Sequence, residues 1–257
     1  MKIPNIGIKY IFIKGSRVMN ENEQEKNEEL NQEGNDFKQK ISTSTDELKN
    51  ETADTVKQVK ENMKNVNVKE EAKAAKSFIG EMIKEPIEKI KEIANDESNK
   101  YFKTSIILVI VWMVAALLGT ISFKYFSWST FGNTLLSYIK TILSPLIEVV
   151  AMGAIIFVLN KKSKKSLITV LTTVVTAELP VIIARVISLL TIISSNISPI
   201  TSKVSSLAYI ISTIFMYFAV KDLFGEEDEK EGFKKFFVVE TVYIVVAFVI
   251  HYLGIYI

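Results

Sequence analysis

Three ionisable residues stand inside long apolar runs, where a charge is expensive: Glu148, Glu178 and Arg185. A charge at the centre of a bilayer costs about 2.5–3.5 kcal/mol on insertion scales, so each needs a counter-charge, a wet cavity or a bound proton. Glu148 lies twelve residues before Asn160 and Glu178 twelve after Ser166, on either side of a short lysine-rich connection. At about 1.5 Å rise per residue, both carboxylates would sit roughly 18 Å from that connection, level with each other on antiparallel helices. Arg185 follows Glu178 by seven residues, two turns on and on the same helical face. Pro145 and Pro180 fall within three residues of the two glutamates; each lacks the N–H that would satisfy a carbonyl one turn back, and both are expected to kink their spans.

This set admits three uses. A buried polar cluster of Glu148, Glu178 and Arg185 could fix helix packing, it could carry protons or ions across a membrane, or it could sense a partner. Glu240 lies four residues into the last apolar run, close to Lys235, and is read as an interfacial residue. Other chemistry is limited by composition. There is no Cys and one His, His251, which leaves no basis for disulfides, Cys-based zinc sites, thiol nucleophiles or His-based catalysis. The paired glutamates and histidines of an intramembrane metalloprotease are missing, as are the Gly-x-Ser-Gly serine and intramembrane histidine of a rhomboid-type protease and a phosphate-cradling Gly-x-x-x-x-Gly-Lys loop. No enzyme activity, metal or cofactor is expected. With 31 Lys+Arg against 29 Asp+Glu, the charge gives no reason to expect nucleic-acid binding.

The elements that hold the three residues follow from how polarity is distributed. The 257 residues are 48% hydrophobic and 23% charged, with mean hydropathy +0.23. The two kinds are segregated: residues 20–100 are polar, and 104–257 carry the apolar runs. Five segments, Thr104–Phe123, Thr134–Leu159, Ser166–Ile193, Val204–Val220 and Phe236–Ile257, each suffice to cross an apolar core about 30 Å thick. The predicted fold is all-α, a polytopic membrane bundle of five spans over 101–257, with the lipid bilayer as its first partner. Lysines crowd the second connection (Lys161, Lys162, Lys164, Lys165) and the fourth (Lys221, Lys230, Lys234, Lys235). The positive-inside rule then puts the N-terminal half in the cytoplasm and the C-terminus outside, in a plasma membrane. Tyr125, Phe126 and Trp128 after the first span would form an outer aromatic belt.

Residues 1–70 read as a disordered or marginally helical polar segment. Its first 18 residues do not match the polar run after them, and Met19 is the expected translation start, with Lys14-Gly15 encoded by a purine-rich stretch upstream. Asn20–Asn35 holds one apolar residue, Leu30, too little to offset ordering entropy. From Phe37 to Val66 a thin apolar stripe at helical spacing suits a solvated helix or a contact formed with a partner. Residues 71–100 read as juxtamembrane amphipathic helices. Phe78, Ile79, Met82 and Ile83 form one patch and Ile87, Ile90, Ile93 and Ala94 the next, with a break at Glu85 because Pro86 suits a first helical turn. Such a segment would lie at the interface or pack under the bundle, and could take a protein partner.

The pre-span segment FIGEMIKEPIEKIKEIA (Phe78–Ala94), the loop NKKSKKS (Asn160–Ser166) and the third span's TTVVTAELPVIIA (Thr172–Ala184) resemble the Yip (Ypt/Rab-interacting protein) family in its bacterial branch. The resemblance covers about residues 75–257 and implies the five-span architecture more than an activity. Eukaryotic members of that family are linked to vesicle trafficking through Rab GTPases, and many bacterial relatives carry a Cys-rich zinc ribbon that this chain lacks. The expected role is therefore membrane organisation, envelope homeostasis or partner scaffolding. Its rival is a small ion- or proton-coupled transporter using Glu148, Glu178 and Arg185, and no oligomeric state is implied.

Overall fold

The computed structural model describes residues 68–120, 131–160 and 165–252, with a few positions between 49 and 60. The expectations for residues 1–18 and 20–35, for Tyr125, Phe126 and Trp128, for Lys161, Lys162 and Lys164, and for 253–257 lie outside the described residues. The chain divides into two compact units, Met1–Asn50 and Glu51–Ile257, and the second contains every helix of the bundle. Of the stripe from Phe37 to Val66, the described Val56 is exposed.

All regular structure among the described residues is helical. Helix α1 spans Val68–Lys84 and α2 spans Pro86–Ala94, with Pro86 in the first turn of α2, where its missing N–H costs nothing. The turn after α2 uses Asn99 at φ 56, a left-handed conformation that Asn tolerates. Asp96 braces it by accepting from the backbone N–H groups of Ser98 at 2.9 Å and Lys100 at 2.8 Å. Helices α3 (Phe102–Thr120) and α4 (Phe131–Leu159) come next. Pro145 lies inside α4 without dividing it.

The third apolar segment is not one straight helix. It is α5 (Leu167–Ala177), α6 (Leu179–Ser188) and the single turn α7 (Leu190–Ile193). Ser166 caps α5 by accepting from the Thr169 N–H at 3.1 Å. Pro180 then ends the hydrogen-bond ladder, and the two parts meet at Glu178 with a bend of 48°. Helix α8 (Ser198–Phe224) stops at Gly225, whose φ of 66 closes the C-terminus without a Cβ clash. Helix α9 (Glu229–Tyr252) completes the described chain.

By length and composition three helices can cross a membrane, at Phe102–Gly119, Tyr138–Leu159 and Ser198–Phe224, and the bent pair makes a fourth span if counted as one. The fifth expected span falls on α9, which carries Lys234, Lys235 and Glu240 and is not among the helices that meet this criterion. The centre of the bundle is α5, in which every residue except Leu171 is buried. Two of its hydroxyls bond back to its own helix, Thr173 to the Thr169 carbonyl and Thr176 to the Thr172 carbonyl, both at 2.8 Å, while the buried Thr172 hydroxyl has no partner among the described residues. Helix α4 packs tightly on α5 at Gly153, where an added Cβ would lie 2.5 Å from Leu171 Cδ2.

Of the two placements open to the juxtamembrane helices, α2 takes the one beneath the bundle, against α5 and α8. Ile90, Ile93 and Ala94 bury at 0–1% exposure with Val220 and Leu223. Burying an Ile side chain is worth about 1.5–3 kcal/mol, enough to hold so short a helix in place. Polar contacts fix its register. Lys165 donates to Asn95 Oδ1 at 3.0 Å, and buried Asn160 donates to the Leu223 carbonyl at 2.7 Å, tying the ends of α4 and α8 together.

Candidate functional site

The ionisable residues inside the bundle line two adjoining cavities on the side away from α2. The larger, of about 350 Å³, is partly open and lies between α3, α4, α6 and α8, with Trp112, Ser144, Glu148, Arg185, Ser188 and Tyr209 on its wall. The smaller, of about 140 Å³ and no less open, lies nearer the α2 end and is lined by Glu148, Glu178, Ser212, Glu240 and Tyr243, with Met216 on the α2 side. Glu148 and Tyr209 belong to both.

The expected cluster is thus divided. Glu178 accepts from the Ser212 hydroxyl at 2.8 Å, and its neighbours across the small cavity are Glu148 and Glu240. Arg185 turns into the large cavity, where its Nη2 lies 3.5 Å from the Tyr209 hydroxyl. No ion pair joins Glu178 to Arg185 among the described residues. The seven-residue spacing puts two side chains over one another only on a continuous helix, and the bend at Glu178 removes that continuity. Pro180 makes that bend, while Pro145 is buried in the wall of the large cavity, within a helix that runs on through it.

Glu240 is corrected from an interfacial residue to a wall residue of the small cavity. Sequence reasoning misses Tyr209, Ser212 and Thr213. Their signal is present in the polar positions of α8, which recur three and four residues apart and continue to Met216. Beyond Met216 the packing turns dry, through Ile156, Val170, Ala219, Val220 and Leu223 down to α2, none of them above 2% exposure. The cavities therefore end inside the bundle.

A second polar constellation closes the α2 end, outside the apolar segments. Lys89, 7% exposed, donates to Glu81 at 2.7 Å, Glu92 at 2.9 Å and the Tyr101 hydroxyl at 2.8 Å. Tyr101 also accepts from Lys100 at 3.1 Å and donates to Glu92. The network joins α1, α2 and the start of α3. Burial works against the charge on Lys89, but the hydrogen bonds to Glu81, Tyr101 and Glu92 prevail and hold its ammonium above the usual lysine range. The hydrogen bond from Lys89 lowers Glu81 below the ordinary carboxylate range, and those from Tyr101 and Lys89 do the same to Glu92.

Compared with known proteins, the chain matches no protein-family model, no curated protein and no solved structure.

Proposed function

We propose that this chain is a non-enzymatic integral protein of the plasma membrane, with a Yip-like five-span architecture, that organises the membrane or scaffolds a protein partner through its N-terminal amphipathic helices. The observation that carries this reading is the docking of α2. In α2, Ile90 and Ile93 are fully enclosed while Ile87 remains 40% exposed, beside Ile83 at the end of α1, which is 71% exposed. A face held rigid in this way binds with less ordering cost than a free helix would. Support for a fifth span comes from α9, which turns Phe237, Ile244, Val245 and Phe248 outward, as a lipid-facing helix would. Support for a cytoplasmic N-terminal half comes from the Lys165–Asn95 contact, which draws α2 to the end bearing the lysine-rich connection.

A photo-crosslinker at Ile83 tests the reading in cells. One discrete protein adduct is expected, lost when Glu81 and Glu92 are both changed to Ala. No adduct, or one indifferent to that change, would refute it. The rival, a small ion- or proton-coupled carrier through Glu148, Glu178 and Arg185, is favoured by one observation, the sharing of Glu148 between the two cavities. Proteoliposomes under an imposed pH gradient separate the two. Scaffolding predicts the leak of protein-free liposomes, whereas flux abolished by Glu148→Gln would replace it with transport.

A further inference from the structure

We propose that the larger cavity binds a small zwitterion, with its oxyanion on Arg185 and its ammonium group on Glu148. Opposite charges in a low-dielectric bundle attract strongly and normally close on each other. These two line one cavity without pairing. Among the described residues the Glu148 carboxylate has no hydrogen-bond partner, and the Arg185 guanidinium reaches only the Tyr209 hydroxyl, at 3.5 Å. Backbone direction keeps them facing each other across the space. Side chains tilt toward the N-terminus of their helix. For α4 that is the end away from α2, and for α6 it is the bend at Glu178, so the two side chains converge from opposite levels.

Size and charge narrow the ligand. A cavity of about 350 Å³ is at the small end of the range that holds small molecules, about 300–1,000 Å³. An ammonium ion alone would meet Arg185, and an anion alone would meet Glu148, so each single charge is disfavoured where a joined pair is satisfied. Polarity follows from the smaller cavity, whose wall adds Glu178 and Glu240 and, among the described residues, no basic group. The ammonium group points inward and the oxyanion outward. Two sources offer this chemistry: the headgroup of a phospholipid bearing an ammonium group, and a free amino-acid-like solute. The inference does not rest on the scaffolding reading, because α1 and α2 contribute nothing to this cavity.

The test uses the full chain purified in mild detergent, with thermal unfolding followed against four probes. O-Phosphoethanolamine and β-alanine should raise the melting temperature in a saturable way, while ethanolamine or inorganic phosphate alone should not. Glu148→Gln and Arg185→Gln should each weaken zwitterion binding about tenfold or more. Ala115→Leu fills the cavity while keeping both charges, and should abolish the shift with unchanged circular dichroism and elution volume. Nanodiscs distinguish the sources. If phosphatidylethanolamine, but not phosphatidylglycerol, protects the protein and removes the effect of the soluble probes, the ligand is the headgroup; if the probes still act there, it is a free solute. The proposal is overturned if no zwitterion shifts the transition, if single-charge probes do as well, or if the shift survives all three variants.

Discussion

The two ends of the bundle use the same residue types to opposite effect. At the α2 end, Lys89 is almost fully enclosed and three oxygens satisfy it. At the other end, Arg185 is exposed to a cavity and has no carboxylate partner among the described residues. Burial alone does not make the enclosed charge a fastener. Closure of its hydrogen bonds does, because a buried polar network contributes to stability only when every member is satisfied. The fully paired set lies where helices must be held together, and the open set where a space is kept between them.

The sharpest way to break this contrast is to strip Lys89 of its carboxylates. With Glu81 and Glu92 both changed to Ala, the ammonium stays enclosed with only the Tyr101 hydroxyl facing it. Both carboxylates are half exposed, so their loss costs about 1.5–3 kcal/mol, as for hydrogen bonds to a charged group. We expect a large fall in the detergent melting temperature and release of α1–α2 to protease. A variant that melts with the wild type would mean that Lys89 escapes to water and the network holds nothing.

A smaller effect is expected between the two ends. Gly153→Ala drives a methyl into Leu171, and overpacking of this kind costs about 1–3 kcal/mol. Leu171→Ala should recover part of that loss in the double variant, since it removes the atoms in conflict. Additive losses measured by denaturant or heat would show that α4 and α5 do not pack as described.

How much of the molecule is legible in its sequence depends on the range over which each signal acts. The break at Pro86, the cap at Ser166 and the apolar lengths of α3, α4 and α8 depend on neighbours a few residues away, and the amino-acid types announce them. The network at Lys89 does not announce itself. In sequence Lys89 is one lysine among alternating glutamates, and only the fold of Asn95–Asn99 brings Tyr101 back to it. The placement of Arg185 over Glu178 on one helical face fails for a related reason. Straight-helix arithmetic runs through Pro180, a residue that interrupts the ladder. Distance from Lys235 along the chain puts Glu240 at the interface, whereas its position is set by packing of α9 against α8.

Acid should separate the ends more gently. Glu81 and Glu92 are held below the ordinary carboxylate value of 4.5, so their contribution is complete above that pH and is lost as pH falls through the lowered values. Lys89 is held above the ordinary lysine value of 10.5, so its contribution is complete below that pH and is lost only in stronger alkali. The network should therefore hold steady from about pH 5 to about pH 10 and loosen below about pH 4. Spin labels at Ile87 and Lys221 should keep a narrow distance distribution across that window and broaden in acid. Broadening near neutrality would show that these groups do not control the docking of α2.

The smallest effect is expected from Glu148→Gln, and it tests the comparison most directly. The substitution keeps the volume of the side chain and breaks no hydrogen bond or ion pair among the described residues. It leaves Glu178 with its Ser212 hydroxyl and Arg185 with its Tyr209 hydroxyl. It also removes one of three carboxylates around the small cavity, which relieves repulsion and offsets whatever attraction Arg185 supplied across the larger one. The unliganded melting free energy should therefore stay within about 0.5 kcal/mol of wild type, as for substitutions away from any partnered group. Lys89→Gln provides the matched control: it is also a single neutralisation, but it leaves Glu81 and Glu92 side by side without their shared cation, and it should destabilise clearly more. If Glu148→Gln proves as costly as Lys89→Gln, the cavity end is a fastener as well. Its charges would then be closed by contacts that form only in the bilayer.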